Sequence, residues 1–173
     1  FKPLGAMLRL APKSLPQAPE AKPFAITERK GRVAILAGCA QSVLDPGINA
    51  TAERLLARFG IETVKPKGEG CCGALVHHMG REHDAHTFAK ANIDAWMKEV
   101  EGEGLDAIII TTSGCGTTVK DYGHMLKSDP AYASNAAKIS GLAKDITEYL
   151  ATLDLPAPPA AESPVCCLCG ARL

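Results

Sequence analysis

The sequence predicts an α/β fold, a three-layer sandwich with a small parallel sheet between helices. Three observations carry the expectation. Short β-branched, apolar segments alternate with segments of helical period. The stretch "LDAIIITTS" (105–113) is almost wholly apolar, as a strand covered on both faces is. The order strand–helix–strand–helix–strand–helix calls for right-handed crossovers between parallel neighbours.

The elements follow in chain order. Residues 1–31 are rich in Pro, Lys and Ala, hold no sustained period, and read as a linker from an upstream domain. "RVAILAG" (32–38) is a buried strand ending in Gly. Asp45-Pro46 opens a helix to about Phe59, with Ile48, Ala52, Leu55, Leu56 and Phe59 at helical spacing and Gly60 as its C-terminal cap. "IETVKP" is a second strand that stops at Pro66. A long helix runs from about Arg81 to Val100 and carries Phe88, Ile93 and Trp96; Trp96 is assigned to the core. The third strand is residues 105–113, and a helix from about Thr117 to Leu126 follows it. "DITEYLATL" (145–153) is the last helix, and "DLPAPPAAESP" is a Pro/Ala linker.

Composition narrows the function. The 173 residues suffice for one domain with a real core, and 46% apolar with 22% charged residues is ordinary for a soluble globular chain. Nineteen Lys and Arg balance nineteen Asp and Glu, so no basic excess points to nucleic acid. The beginning, "FKPLGAMLRLAPK", has no initiator Met and lacks the order of a signal peptide, so the chain reads as a piece of a longer one.

The seven cysteines, at 39, 71, 72, 115, 166, 167 and 169, carry the chemistry. An odd count without a signal peptide argues against a disulfide framework and for metal, iron–sulfur or redox chemistry. Cys39 follows the first strand, Cys71 and Cys72 the second, and Cys115 the third. Ligands of open parallel sheets sit beyond the carboxyl ends of the strands. Four thiols distant in sequence are therefore expected at one sheet edge. Thiolates select Zn, Cu(I) or iron–sulfur clusters. Structural zinc sites use short C-x(2–4)-C knuckles, whereas these cysteines are separated by 31 and 42 residues with one adjacent pair. Adjacent cysteines suit an extended cluster better than one tetrahedral ion. Gly38, Gly70, Gly73, Gly114 and Gly116 flank all four and are expected to bring backbone N–H groups close to sulfur.

The stretches "GC" (38–39), "GEGCCGALVHHMG" (68–80) and "SGCGTTVKDYG" (113–123) resemble the cysteine-rich CCG domain. Together with "NIDAW", "GLDAIIITTSGCGTTVKDYGHML" and "AKDITEYLATLDLP", they resemble the iron–sulfur subunits of glycolate oxidase over roughly residues 30–157. The resemblance implies residues 1–31 as a linker from a ferredoxin-like domain, 32–154 as a first CCG domain, and 155–173 as a linker and a truncated or out-of-frame start of a second. It implies an electron-transfer role, from a FAD-binding subunit that oxidises glycolate to glyoxylate toward a membrane quinone or other acceptor. It also implies an iron–sulfur cluster of 4Fe–4S type, a location in the cytoplasm or peripheral at the inner membrane, and no nucleic-acid partner. Relatives in heterodisulfide reductase, glycerol-3-phosphate dehydrogenase and lactate-utilisation systems do similar transfer. The site set is Cys39, Cys71, Cys72 and Cys115 as metal ligands, with Gly73 and His77 beside the cofactor and no catalytic residue.

The chain departs from the pattern at three places. The ferredoxin run C-x(2)-C-x(2)-C-x(3)-C-P is absent, so cubane clusters of that kind belong to the upstream domain. The heterodisulfide reductase version ends in C-x-x-C, whereas Thr118 stands at that position here. The tail "CCLCGARL" does not continue as a second CCG domain would. Among the histidines, His77 is a candidate to line the site, His78 is assigned to packing or solvent, and His83 and His86 to solvent. Lys120, Asp121 and Tyr122 are read at the start of a helix, as groups that tune the site or contact a partner. Three classes stay open: an electron-transfer subunit, an enzyme reducing a disulfide or quinone at its own cluster, and a docking module whose cysteines hold zinc or nothing.

Overall fold

The computed structural model describes residue 14 and residues 25–155. Cys166, Cys167 and Cys169, with most of both expected linkers, lie outside the described residues. Four strands form one all-parallel sheet: β1 (Gly31–Ile35), β2 (Ile61–Val64), β3 (Ala107–Ile110) and β4 (Ala143–Asp145), in the order β2-β1-β3-β4. The register pairs Val33 with Ala107 and Ile35 with Ile109 across the two central strands.

Side chains alternate between the sheet's faces. Val33, Ile35, Ala107 and Ile109 face one layer with Ala52, Leu56 and Tyr149. Ala34, Leu36, Ile108 and Ile110 face the other, with Ala89, Ile93, Trp96, Val119, Tyr122 and Ile139. The first layer holds α2 (Gly47–Arg58) and α8 (Ile146–Leu150). The second holds α4 (Glu82–Glu101), α5 (Ser113–Lys120), α6 (Tyr122–Met125) and α7 (Ala133–Leu142). Two short helices, α1 (Gln41–Leu44) and α3 (Ala74–His78), follow the first and second strands. No helix among the described residues is long and apolar enough to cross a membrane.

The expected three-layer sandwich is therefore present, with corrections. A fourth strand and α7 occupy a stretch to which the sequence pattern assigns no element. Its Ala-, Ser- and Gly-rich sequence offers little apolar contrast. The helix expected over 117–126 starts at Ser113 and breaks at Asp121, so Lys120 ends a helix instead of opening one. Ile48 and Phe88, expected on core faces, are 43% and 38% exposed. The buried stripe of α4 runs through Ala85, Ala89, Asn92, Ile93 and Trp96, beside Phe88. Gly60 caps α2 with φ +79°, and an added Cβ would meet the Glu28 carbonyl at 2.6 Å. The last part of the expected linker is docked: Lys30 N–H bonds the Gly60 carbonyl, and Arg29 pairs with Glu62 and Glu103.

Ile109 is fully buried between the central strand and α2. Ile109→Ala is expected to lower the unfolding free energy by about 2–5 kcal/mol. Ile48→Ser is expected to stay within about 0.5 kcal/mol. Urea denaturation followed by circular dichroism measures both, and equal losses would contradict the assigned core.

Candidate metal centre

The topology sets the location. From β1 the chain crosses to β2 on one side, and from β2 it returns past β1 to β3 on the other. The crevice beyond the carboxyl ends of β1 and β3 is thus the switch point of the sheet, the usual ligand position of such folds. Cys39 leaves β1, Cys71 and Cys72 leave β2, and Cys115 sits in the first turn of α5, which leaves β3.

The four thiols form two pairs. Cys71 Sγ lies 3.5 Å from Cys39 Sγ. The buried Cys72 thiol and the half-buried Cys115 thiol act most strongly on each other. The pairs also feel each other, since the charges of Cys39 and Cys71 act on Cys115. The neighbouring Cys115 thiol, with burial added, pushes Cys72 far above the ordinary thiol range, and Cys72 in turn pulls Cys115 below it. Cys39 is raised as well, first by the Cys71 thiol beside it and then by burial.

The turn that carries the adjacent cysteines depends on Gly73. Its φ is +83°, and a Cβ there would meet the Ala85 carbonyl oxygen at 3.2 Å and Phe88 Cβ at 3.3 Å. Glycine alone takes this conformation readily, and its N–H donates to Cys71 Sγ at 3.4 Å. Gly38, at φ +69°, turns the chain before Cys39. Gly70, Gly114 and Gly116 have no positive φ, and of the five flanking glycines only Gly73 donates its N–H to a cysteine sulfur. Gly116 instead packs inside α5 against Ile110.

Polar side chains tie the three loops together. Glu69 accepts from the Ala37 N–H at 3.0 Å and from Trp96 Nε1 at 2.9 Å, which links the Cys71 loop to the Cys39 loop. Burial raises the Glu69 pKa against the opposing pull of these two donors. Gln41 Nε2 donates to Thr111 Oγ1 at 2.8 Å, and Asn49 Nδ2 donates to the Leu36 carbonyl at 2.9 Å. Those bonds join the Cys39 loop to the start of the Cys115 loop. Sequence reasoning passed over Glu69, Gln41, Asn49 and Thr111. Their one signal was polarity beside strand ends.

The remaining candidates are placed as follows. His77 is half-buried, and its Nδ1 is buried without a hydrogen-bond partner. With Thr117, Thr118 and Asp121 it lines a cleft of about 280 Å³ that no cysteine lines. His78 is exposed. No hydrogen bond among the described residues joins either ring to a cysteine. Thr118 is buried and donates its hydroxyl to the Gly114 carbonyl at 3.1 Å, so it offers no fifth ligand. His83 is exposed and His86 half-buried. Lys120 pairs with Glu148. No group of three or more His, Cys, Asp or Glu side chains among the described residues is disposed around a single metal ion.

Two outcomes are expected. Gly73→Ala should cost about 1–2 kcal/mol from the left-handed backbone alone, read as a shift in the urea midpoint. In metal-free protein near neutral pH, iodoacetamide should label Cys115 before Cys72, because only the thiolate reacts. The preference should shrink above the ordinary thiol value of about 8.5, where lowering the Cys115 pKa no longer adds thiolate. Peptide mass mapping reads the order, and Cys72 reacting first would contradict the raised Cys72 and lowered Cys115 pKa values.

The family model for the CCG cysteine-rich domain matches residues 33–120. Over 131 residues, 76% of this chain, the sequence is 44% identical to the glycolate oxidase iron-sulfur subunit of Escherichia coli (strain K12). A probable glycolate oxidase iron-sulfur subunit of Bacillus subtilis (strain 168) is 32% identical over 163 residues, 86% of the chain. Lactate utilization protein A of the same Bacillus strain is 24% identical over 119 residues, 69% of the chain. The chain spans 32%, 36% and 48% of these three relatives, so it corresponds to a part of each. No solved structure matches it. The matched residues include Cys39, Cys71, Cys72 and Cys115, and the chain belongs to the CCG cysteine-rich domain family.

Proposed function

We propose that this chain is part of an iron–sulfur electron-transfer subunit of a glycolate oxidase, in which Cys39, Cys71, Cys72 and Cys115 hold a cluster of 4Fe–4S type. The convergence of four thiols from three strand ends carries the reading. Their chemistry fits the group, because soft thiolate donors select iron–sulfur centres. The 3.5 Å Cys39–Cys71 separation shows two of these soft donors already brought together without a metal. A cluster supplies a one-electron carrier. The chain's own contribution is to hold and solvate it. The Gly73 N–H donates to Cys71 Sγ, and such bonds raise the potential of a thiolate-ligated centre. Cys72 is buried, whereas Cys39 is exposed and marks the side open to a redox partner. His77 supplies an unpaired ring nitrogen in its cleft.

In the complete assembly a FAD-binding subunit would oxidise glycolate to glyoxylate and pass electrons through this subunit toward a membrane quinone or other acceptor. The names of the two relatives in Escherichia coli and Bacillus subtilis support that substrate. Residues 32–154 would form the first CCG domain, with cubane clusters on an upstream ferredoxin-like domain. The location would be the cytoplasm or the inner face of the membrane. Because flavin chemistry does not need this chain, Cys72→Ser should abolish bound iron at this site and natural-acceptor activity in the assembled complex. Glycolate-driven reduction of an artificial dye by the flavin subunit should survive. Iron and sulfide analysis with electron paramagnetic resonance reads the first, and paired activity assays the second. Full natural-acceptor activity in an assembled Cys72→Ser complex would overturn the proposal.

A further inference from the structure

Two side chains under the double-cysteine turn make an arrangement that packing does not require. Asn92 lies on the buried stripe of α4, and Tyr122 opens α6; both are fully buried. Asn is a poor helix residue, and burying its amide without partners is costly. Here the cost is met by main-chain groups of one short segment. Asn92 Oδ1 accepts from the Gly70 N–H at 2.8 Å. Its Nδ2 donates to the Cys71 carbonyl at 2.9 Å and to the Tyr122 hydroxyl at 3.1 Å. That hydroxyl donates in turn to the Cys72 carbonyl at 2.8 Å. Three successive residues are thus gripped from one side, with both cysteine carbonyls drawn to the same buried cluster.

Successive carbonyls of an extended chain point to opposite sides. Two carbonyls held by neighbouring donors therefore require a turn at Cys71–Cys72. That turn sends the adjacent thiols apart: Cys71 Sγ lies 3.5 Å from Cys39 Sγ, whereas the Cys72 thiol is buried in the core. We propose that Asn92 and Tyr122 are positioning residues that set the pairing of Cys71 with Cys39, through the main chain and without touching a sulfur. This goes beyond the iron–sulfur reading and does not depend on it, because the pairing belongs to the metal-free chain.

The experiment uses reduced, metal-free protein and diamide, whose N=N bond takes up two electrons and two protons as two thiols become one disulfide. Peptide mass mapping gives the share of Cys39–Cys71 bonds against all other pairings. Tyr122→Phe keeps the buried ring and removes only the hydroxyl. Asn92→Ala removes the whole grip. Ile93→Val, one residue along the same buried helix, is the control for general loosening. The ratio of Cys39–Cys71 to other pairings should fall about tenfold in Tyr122→Phe, the scale of one lost buried hydrogen bond, and stay at the wild-type value in Ile93→Val. Unchanged pairing in a folded Tyr122→Phe protein would overturn the proposal, and so would an equal shift in Ile93→Val. If Asn92→Ala does not fold, the Tyr122→Phe comparison decides alone.

Discussion

Everything in this fold depends on the pairing of β1 with β3. Both strands bury side chains on both faces, Val33 and Ile109 toward one helical layer and Ala34 and Ile108 toward the other. A strand covered in this way has no polar face on which to carry chemistry. Functional groups are displaced to the ends, and parallel pairing puts the ends that matter at one edge. The helices then diverge to opposite layers from neighbouring strands, which leaves a crevice where loops of three strands meet. The thiols occupy it because it is the place where backbone is neither paired in the sheet nor packed in the core.

The crevice is held by hydrogen bonds more than by apolar contact. Glu69, Gln41 and Asn49 each bond across two loops, and the carboxylate of Glu69 stays in place although burial disfavours its charge. Such a network is costly when incomplete and rigid when satisfied. It also explains the asymmetry of the thiol pairs. The inner thiols, Cys72 and Cys115, lie against the core, whereas the outer pair carries the exposed Cys39. An electron carrier needs both properties: a desolvated interior that sets its potential and an open side that lets electrons pass.

Much of this was legible in the sequence. The sheet and long helix announced themselves by period, and the cysteines by residue type and position after strands. What escaped detection had weak signals for identifiable reasons. The stretch around α7 and β4 is built from Ala, Ser and Gly, so its buried residues, Ala136 and Ala143, resemble exposed ones in sequence. The break at Asp121 is absent from the hydrophobic pattern because Val119, Tyr122 and Leu126 are all buried on either side of it. Ile48 and Phe88 keep helical spacing but sit at the margin of their stripes. Among the glycines, spacing alone could not separate Gly73, which needs a left-handed backbone, from Gly116, which sits in an ordinary helix.

Asn92 shows how such a signal could be read. It falls three residues after Ala89 and four before Trp96, inside an apolar stripe of a long helix. A polar residue at a core position of an otherwise regular pattern must find partners there, since an unpaired buried amide is expensive. Those partners must be fixed groups, and in a parallel α/β fold the nearest fixed groups not already used by the sheet are those of the loops at its carboxyl edge. The helical period that defines the core thus also singles out the residue turned from the core toward the site. The same logic applies to Glu69, a charged residue directly before the Gly-Cys-Cys-Gly run whose carboxylate bonds the indole of the buried Trp96. In both cases the polar group gives up solvent to fix a loop. The cysteines it fixes keep their thiols free for a ligand.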